Sequence, residues 1–208
     1  MTLNRQDLER ISAGTLADYA RRAPQYREGT KDHDVSQNIA ELLRHLEGVP
    51  PFRILDLGCG PGRDLKVFRE LGHEPVGLEG LPEFAAMARR DSGCEVLEQD
   101  FLQLDLPAAS FDGIFANASM FHVPTQELPR VLKELRSALK PRGVLFCSIP
   151  HGDNQEGWSR GRYGAFLDWE TWKGHLTTAG FTELNHYYRP AGLPREAQPW
   201  LASSWRRA

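Results

Sequence analysis

The sequence predicts an α/β protein, a mostly parallel sheet covered on both faces by helices in a three-layer α/β/α sandwich. Three observations predict it. Short apolar runs alternate with stretches of helical period from residue 52 to 150, the pattern of successive βα units. The first run, Ile54-Leu55-Asp56-Leu57, passes directly into Gly58-Cys59-Gly60-Pro61-Gly62 and then a helical segment. The last two apolar runs, 181–188 and 200–205, are joined by a loop without helical period, which predicts an antiparallel pair at one sheet edge.

A chain of 208 residues is expected to form one domain with a sizeable core. We expect a helical N-terminal cap over 1–50 and an α/β core over 51–208. The formal charge is −3 and the pI about 6.2, so no basic bias points to nucleic acid. No run of about 18 apolar residues predicts a membrane span. The segment Met1–Arg10 is polar and carries no apolar signal core. Cys59, Cys94 and Cys147 have no metal-ligand spacing and are expected as free thiols of a cytoplasmic protein.

Taken in order, residues 5–22 read as a helix and Ala23–Thr30 as a bend. Val35 to Leu46 places Val35, Ile39, Leu42, Leu43 and Leu46 on one helical face, and Gly48 with Pro50-Pro51 stops it. The sheet begins near Phe52. Its second strand ends at Glu79 and is followed by a helix from Leu81 to Arg90. A third strand covers 94–98, and a fourth covers 110–116. The helix from Leu128 to Leu139 ends in Lys140-Pro141-Arg142-Gly143, and Val144–Ile149 is the fifth strand. Pro150–Tyr163 is polar, glycine-rich and without helical period; it reads as a long loop at the ligand edge. Asp168 opens a last helix that ends at Ala179-Gly180.

The glycine turn carries the first functional signal. Glycines admit positive φ and close approach of a ligand to the backbone, and the N–H groups of a helix start favour polar or anionic groups. A dinucleotide fingerprint would need glycine where Arg63 stands. Glu79 lies 21 residues beyond Gly58, about where an acid holds a ribose in such folds. Asp100 lies 21 residues further on; it is placed to accept from an adenine amino group, or else to cap the next turn. Asn117 and His122 follow the fourth strand, whose end lines a ligand crevice. A lone histidine is more often a structural hydrogen-bonder than a catalyst.

The ordered set ILDLGCGPGRDL (54–65), VGLEG (76–80), EQDFLQLDLP (98–107), FDGIFANASMFHVP (111–124), LKPRGVLFCSIP (139–150) and TTAGFTEL (177–184) resembles the class I S-adenosylmethionine (SAM) dependent methyltransferases of the small methyltransferase-domain type, over roughly residues 35–190. The resemblance implies a Rossmann-like, seven-stranded sheet of order 3-2-1-4-5-7-6. It implies SAM as cofactor and S-adenosylhomocysteine as product. It implies that Asp56, Gly58, Cys59 and Gly60 surround the methionine part. Glu79 and Gly80 would hold the ribose, and Asp100 and Phe101 would flank the adenine. Asn117 would lie near the methionine carboxylate and the sulfonium, with Tyr19, Tyr26 or Arg27 covering the site. Two departures are visible: Glu79 where Asp is also common, and Arg142 in a turn where glycine is frequent.

Methyl transfer from a sulfonium needs alignment and water exclusion more than a fixed catalytic residue. Candidate general bases are His122, His151 and Tyr163. Arg160 and Arg162 are candidates to bind an anionic group of the acceptor. The segment FDGIFANASMF lacks the Asn/Asp-Pro-Pro-Tyr motif of many amide N-methyltransferases. A small-molecule acceptor is therefore expected, with a tRNA-modifying enzyme or a noncatalytic SAM-binding relative as alternatives, and neither a nucleic-acid nor a membrane partner.

Overall fold

The structure, a computed structural model, describes residues 2–208; Met1, at which the expected cap begins, lies outside the described residues. Seven strands form one sheet: β1 (Arg53–Leu57), β2 (Glu74–Glu79), β3 (Glu95–Glu98), β4 (Phe111–Asn117), β5 (Leu139–Pro150), β8 (Phe181–Arg189) and β9 (Trp200–Arg207). A separate two-stranded hairpin is made by β6 (Gln155–Ser159) and β7 (Arg162–Phe166). The sheet order is β3-β2-β1-β4-β5-β9-β8. With the hairpin set aside, this is the expected 3-2-1-4-5-7-6. The β1, β2, β3, β4 and β5 pairings are parallel, and β9 runs antiparallel between β5 and β8.

The alternation of side chains along β1 sorts the layers. Ile54 faces α3 (Ser36–Leu43) and α4 (Arg63–Glu70), where Leu42, Phe68, Phe115 and Phe146 pack with it. Phe115 stacks on Phe146 at 5.1 Å and takes Phe68 edge-on at 5.2 Å. Leu55 and Leu57 face the other side, against α6 (Leu128–Ala138) and α7 (Trp169–Thr178), through Leu132, Leu135, Trp172 and Leu176. Buried runs such as Ile54–Leu57 are what a parallel sheet covered on both faces requires.

Local chemistry sets the ends. Asn4 and Asp7 form a reciprocal capping box at the start of α1 (Arg5–Arg21). Pro82 opens α5 (Pro82–Ser92), and Gly93 closes it at φ 68°. Asp168 caps α7 through the Thr171 N–H at 2.8 Å.

Three expectations are corrected. Ala23–Thr30 is a helix, α2, rather than a bend; Pro24 sits in its first turn, where a missing N–H costs nothing. Residues 140–143 belong to β5. Leu139 pairs with Phe111 and Val144 with Gly113, so the intervening residues bulge out, with Arg142 at φ 64°. The expected loop 150–163 holds β6 and the start of β7, so the hairpin replaces most of it. Gly161 at φ 86° and Arg160 at φ 50° make the tight turn that lets Ser159 pair with Arg162. The polar composition hid the strands because their outward residues are solvated.

Gly62 decides how closely α4 and α5 approach. It caps α4 at φ 91°, and a Cβ there would lie 2.7 Å from Ala88 Cα. Gly62→Ala should therefore lower stability by roughly 2–4 kcal/mol, the sum of left-handed strain and overpacking. Urea unfolding measures this; an unchanged midpoint would mean that α5 yields freely.

Candidate active site

The strand ends after β1, β2 and β4 meet at the glycine turn. Gly58 N–H and Cys59 N–H both donate to Leu78 O, at 2.8 and 3.1 Å. Gly58 and Gly60 sit at φ 76° and 52°. A Cβ on Gly58 would fall 2.6 Å from Ser119 Cβ and 2.9 Å from the Phe101 ring. Ser119 is itself fixed by donating its hydroxyl to Leu57 O at 2.6 Å. Only glycine fits this cradle.

Glu79, buried at the end of β2, ties the turn to its surroundings. One carboxylate oxygen accepts the Gly60 N–H at 2.9 Å, and the other accepts the Leu81 N–H at 2.9 Å. Burial pushes its pKa up, opposed by those backbone donors. Asp56 lies under the turn, buried, and its Oδ2 has no hydrogen-bond partner. Burial raises its pKa well above the usual range, and neighbouring Asp64 adds to the rise. Arg63, whose charge opposes that rise, is engaged by Asp64 through Nε at 2.6 Å and Nη2 at 2.8 Å.

A cavity opens between this turn and α1. Its lining includes Gly58, Gly60, Glu79, Gly80, Asp100, Phe101, Tyr19, Tyr26 and His122. Asp100 accepts the Leu102 N–H at 2.8 Å and the Ser12 hydroxyl, so α1 is fastened over the end of β3. Tyr19, Tyr26 and Phe84 form an aromatic roof with centroids 5.2–6.0 Å apart. A second, wider cleft, open to solvent, shares Tyr26, Gly58, Gly60 and Ala118 with the first. It carries Cys59 and Asn117 and reaches Ser148, Arg189 and Trp200. Asn117 Oδ1 accepts from Asn38 Nδ2 at 2.9 Å.

His122 stands at the wall of the first cavity. Its Nδ1 is 2.6 Å from Tyr163 O, which can only accept, so Nδ1 carries the proton. Nε2 is then an acceptor, and the Tyr19 hydroxyl, 2.9 Å away, donates to it. Burial lowers the His122 pKa to about 4, so the ring is neutral near pH 7.

The other sequence candidates do not join this site. Tyr163 is buried edge-on against Trp158 and offers His122 its backbone carbonyl, not its hydroxyl. His151 lies past the cavities, edge-on to Tyr188 at 5.5 Å, because the end of β5 carries it toward β8 and β9. Arg160 is exposed in the hairpin turn. Arg162 is turned to Asp18 at 3.6 Å and lies 4.9 Å from the Tyr19 ring centroid. Ser12, Phe84 and Ser119 were missed, since no motif spacing marks a residue that acts by supporting a turn or a roof. Arg189 carried one signal, its alternation with Asn185 and Tyr187 on one strand face.

A parallel sheet with a glycine turn at the end of its first strand and a buried acid at the end of its second defines a Rossmann-like nucleoside-binding protein. Residues 54–143 match the family described as methyltransferase domain. The chain is 32% identical over 156 residues to trans-aconitate 2-methyltransferase of Yersinia pestis, covering 71% of this chain and 58% of that protein. It is 32% identical over 146 residues to 24-methylenesterol C-methyltransferase 2 of Oryza sativa, covering 63% of this chain and 38% of that one. It thus spans less than two thirds of the length of these relatives. In fold it is similar to Burkholderia thailandensis 1,6-didemethyltoxoflavin-N1-methyltransferase, whose structure holds its acceptor and S-adenosylhomocysteine. The TM-score is 0.81 at 23% identity, over 100% of this chain and 92% of that one. The family match, these relatives and this fold neighbour support a class I SAM-dependent methyltransferase.

No helix among the described residues is long and apolar enough to cross a membrane.

The neutral state of His122 has a measurable consequence. The unfolded chain binds a proton at this residue below about pH 6.5, and the folded protein only below about 4. Stability is therefore complete above pH 6.5 and falls as pH drops toward 4, by on the order of 3 kcal/mol from this residue. His122→Gln should flatten that part of the stability–pH curve, read by denaturant unfolding at pH 7.5, 6, 5 and 4.5. An unaltered slope would contradict the assigned burial.

Proposed function

We propose that the chain transfers the methyl group of SAM to a small-molecule acceptor. The observation that carries this reading is the pair of unmet needs around the glycine turn: a backbone cradle that any Cβ would fill, above a buried carboxylate oxygen with no donor. A methionyl ammonium supplies the donor that Asp56 Oδ2 lacks. The spare lone pairs of Glu79 suit the two ribose hydroxyls beside Gly80, and Asp100 with Phe101 suits the adenine. Gly58, Cys59 and Gly60 present backbone to the ligand, Asn117 marks the sulfonium end, and Tyr19 and Tyr26 close the roof. When bound, the sulfonium supplies a methyl group open to in-line displacement, with the carbon–sulfur bond electrons leaving on a neutral thioether.

The residues of this chain then bind, orient and exclude water. His122 Nε2 is the basic atom at the wall, and it already takes the Tyr19 proton as a hydrogen bond. A pKa of about 4 makes it a poor proton sink. The site is better matched to acceptors whose nucleophilic atom carries no proton at neutral pH, and His122 serves chiefly to orient Tyr19. The relative named for trans-aconitate and the fold neighbour named for a toxoflavin precursor support a small acceptor. The three free cysteines suit the reducing cytoplasm to which we assign the protein.

Side-by-side calorimetric titration with SAM, S-adenosylhomocysteine and NAD tests the reading. Binding of the first two, roughly micromolar, with none for NAD is expected; NAD binding, or silence for the SAM pair, overturns it. Asp56→Asn should separate stability from binding. Removing an uncompensated buried carboxylate leaves the free protein as stable or more so, while the lost ammonium contact weakens S-adenosylhomocysteine by about 1–3 kcal/mol. Glu79→Ala should weaken it by a similar amount, roughly 1–3 kcal/mol. Equal affinity in both variants would mean that other residues hold the ligand.

A further inference from the structure

The wider cleft is lined by more cations than it can use as anchors. Arg27 is paired with Asp91 at 2.6 Å, Lys31 with Glu28, Arg63 with Asp64 at 2.6 Å and Lys66 with Glu70 at 3.8 Å. Arg189 lines the same cleft and has no carboxylate partner among the described residues. Its Nε is buried and makes no hydrogen bond, while Nη2 donates to the Asp34 backbone carbonyl at 3.1 Å.

The strand and helix explain how it comes to stand there. Asn185, Tyr187 and Arg189 alternate along β8 and so share one face. That face climbs beside α3. Asn185 Nδ2 donates to Glu41 at 2.9 Å, and one step up the Tyr187 hydroxyl donates to Asn38 Oδ1 at 2.8 Å. The next step meets the chain just before α3, at Asp34, whose Oδ1 is turned away to accept the Ser36 N–H at 2.9 Å. Arg189 is thus the last rung of a polar ladder, and the first without a full complement. The same ladder sets the other donor: because Asn117 Oδ1 is taken by Asn38 Nδ2, the group Asn117 has left for the cleft is its own N–H. Asn117 and Arg189 thus each offer donors to the cleft, one of them charged, beside Ser148 and the Asp34 carboxylate.

We propose that Arg189, with Asn117, anchors a carboxylate of the methyl acceptor, so that the enzyme's substrates are small organic acids. This rests on the function proposed above. A guanidinium grips a carboxylate through two parallel N–H donors, and the orphaned Nε gains the acceptor it lacks. The placement fits the geometry, since the cleft joins the cofactor cavity at Gly58 and Gly60. Arg160 and Arg162, expected from sequence for this task, line neither cavity.

The test uses fluorinated carboxylic acids, aromatic and aliphatic, each beside its own primary amide, with 19F line broadening as readout. S-adenosylhomocysteine affinity is measured first by calorimetry, and the acids are read both with and without it. Failure of that titration sinks the proposed function, and failure of the acids to outbind their amides sinks this inference alone. The expected result is that at least one acid binds in preference to its amide. Arg189→Met should then weaken that acid roughly tenfold to a hundredfold, the scale of a charged hydrogen bond, with S-adenosylhomocysteine affinity unchanged. Should Arg189→Met fail to fold, Arg189→Lys keeps the charge without the fork and should still lose part of the preference. Wild-type preference in the folded variant overturns the assignment.

Discussion

The double acceptance by Glu79, of the Gly60 N–H and of the Leu81 N–H, is the contact on which the site depends. It joins the turn after β1 to the turn after β2 and so fixes the floor of one cavity from two strands. A buried carboxylate is costly unless hydrogen-bonded; here the backbone of a strained turn does the bonding. The positive φ values at Gly58 and Gly60 exist because the chain must reverse over β1 without a side chain in the way. Asp56 lies below the same turn with one oxygen unmatched. The two acids differ: Glu79 is held through both oxygens, and Asp56 Oδ2 has no partner.

From that floor the rest of the site follows by packing. Ser119 and Phe101 press against Gly58, and α1 is held over the opening by Ser12 and Asp100. Tyr19 leaves the roof to bond His122, which is held in turn by the carbonyl of Tyr163 on the hairpin. The hairpin and α1 are therefore one unit at this point: Thr15 Oγ1 also accepts the Tyr163 N–H at 3.0 Å. A change in the roof is transmitted to the base candidate through a single hydroxyl. That coupling joins the neutrality of His122 to the shape of the cavity.

The strands and the glycine turn were legible because each rests on local pattern, while the sheet order came from the family resemblance. Ile54–Leu57 is an apolar run before glycines, and Glu79 and Asp100 recur at strand-end spacing. What sequence reasoning lost was set by tertiary pairing. The hairpin Gln155–Phe166 is built from polar residues whose strands exist through mutual hydrogen bonds and through Thr15. His151 was a fair candidate by type, but the end of β5 takes it to Tyr188. Arg162 lay in the right segment, yet Asp18 and Tyr19 absorb it. Arg189 carried no motif, and its unbonded Nε depends on α3, about 150 residues away in sequence and folded against the same strand face.

A crystal structure of the protein with S-adenosylhomocysteine tests the central claim most directly. The account predicts ligand density across the glycine turn, the ribose hydroxyls on Glu79 and the ammonium within hydrogen-bond reach of Asp56 Oδ2. Density elsewhere, or a ligand that leaves Asp56 unpaired and Glu79 bonded to the backbone alone, would contradict it.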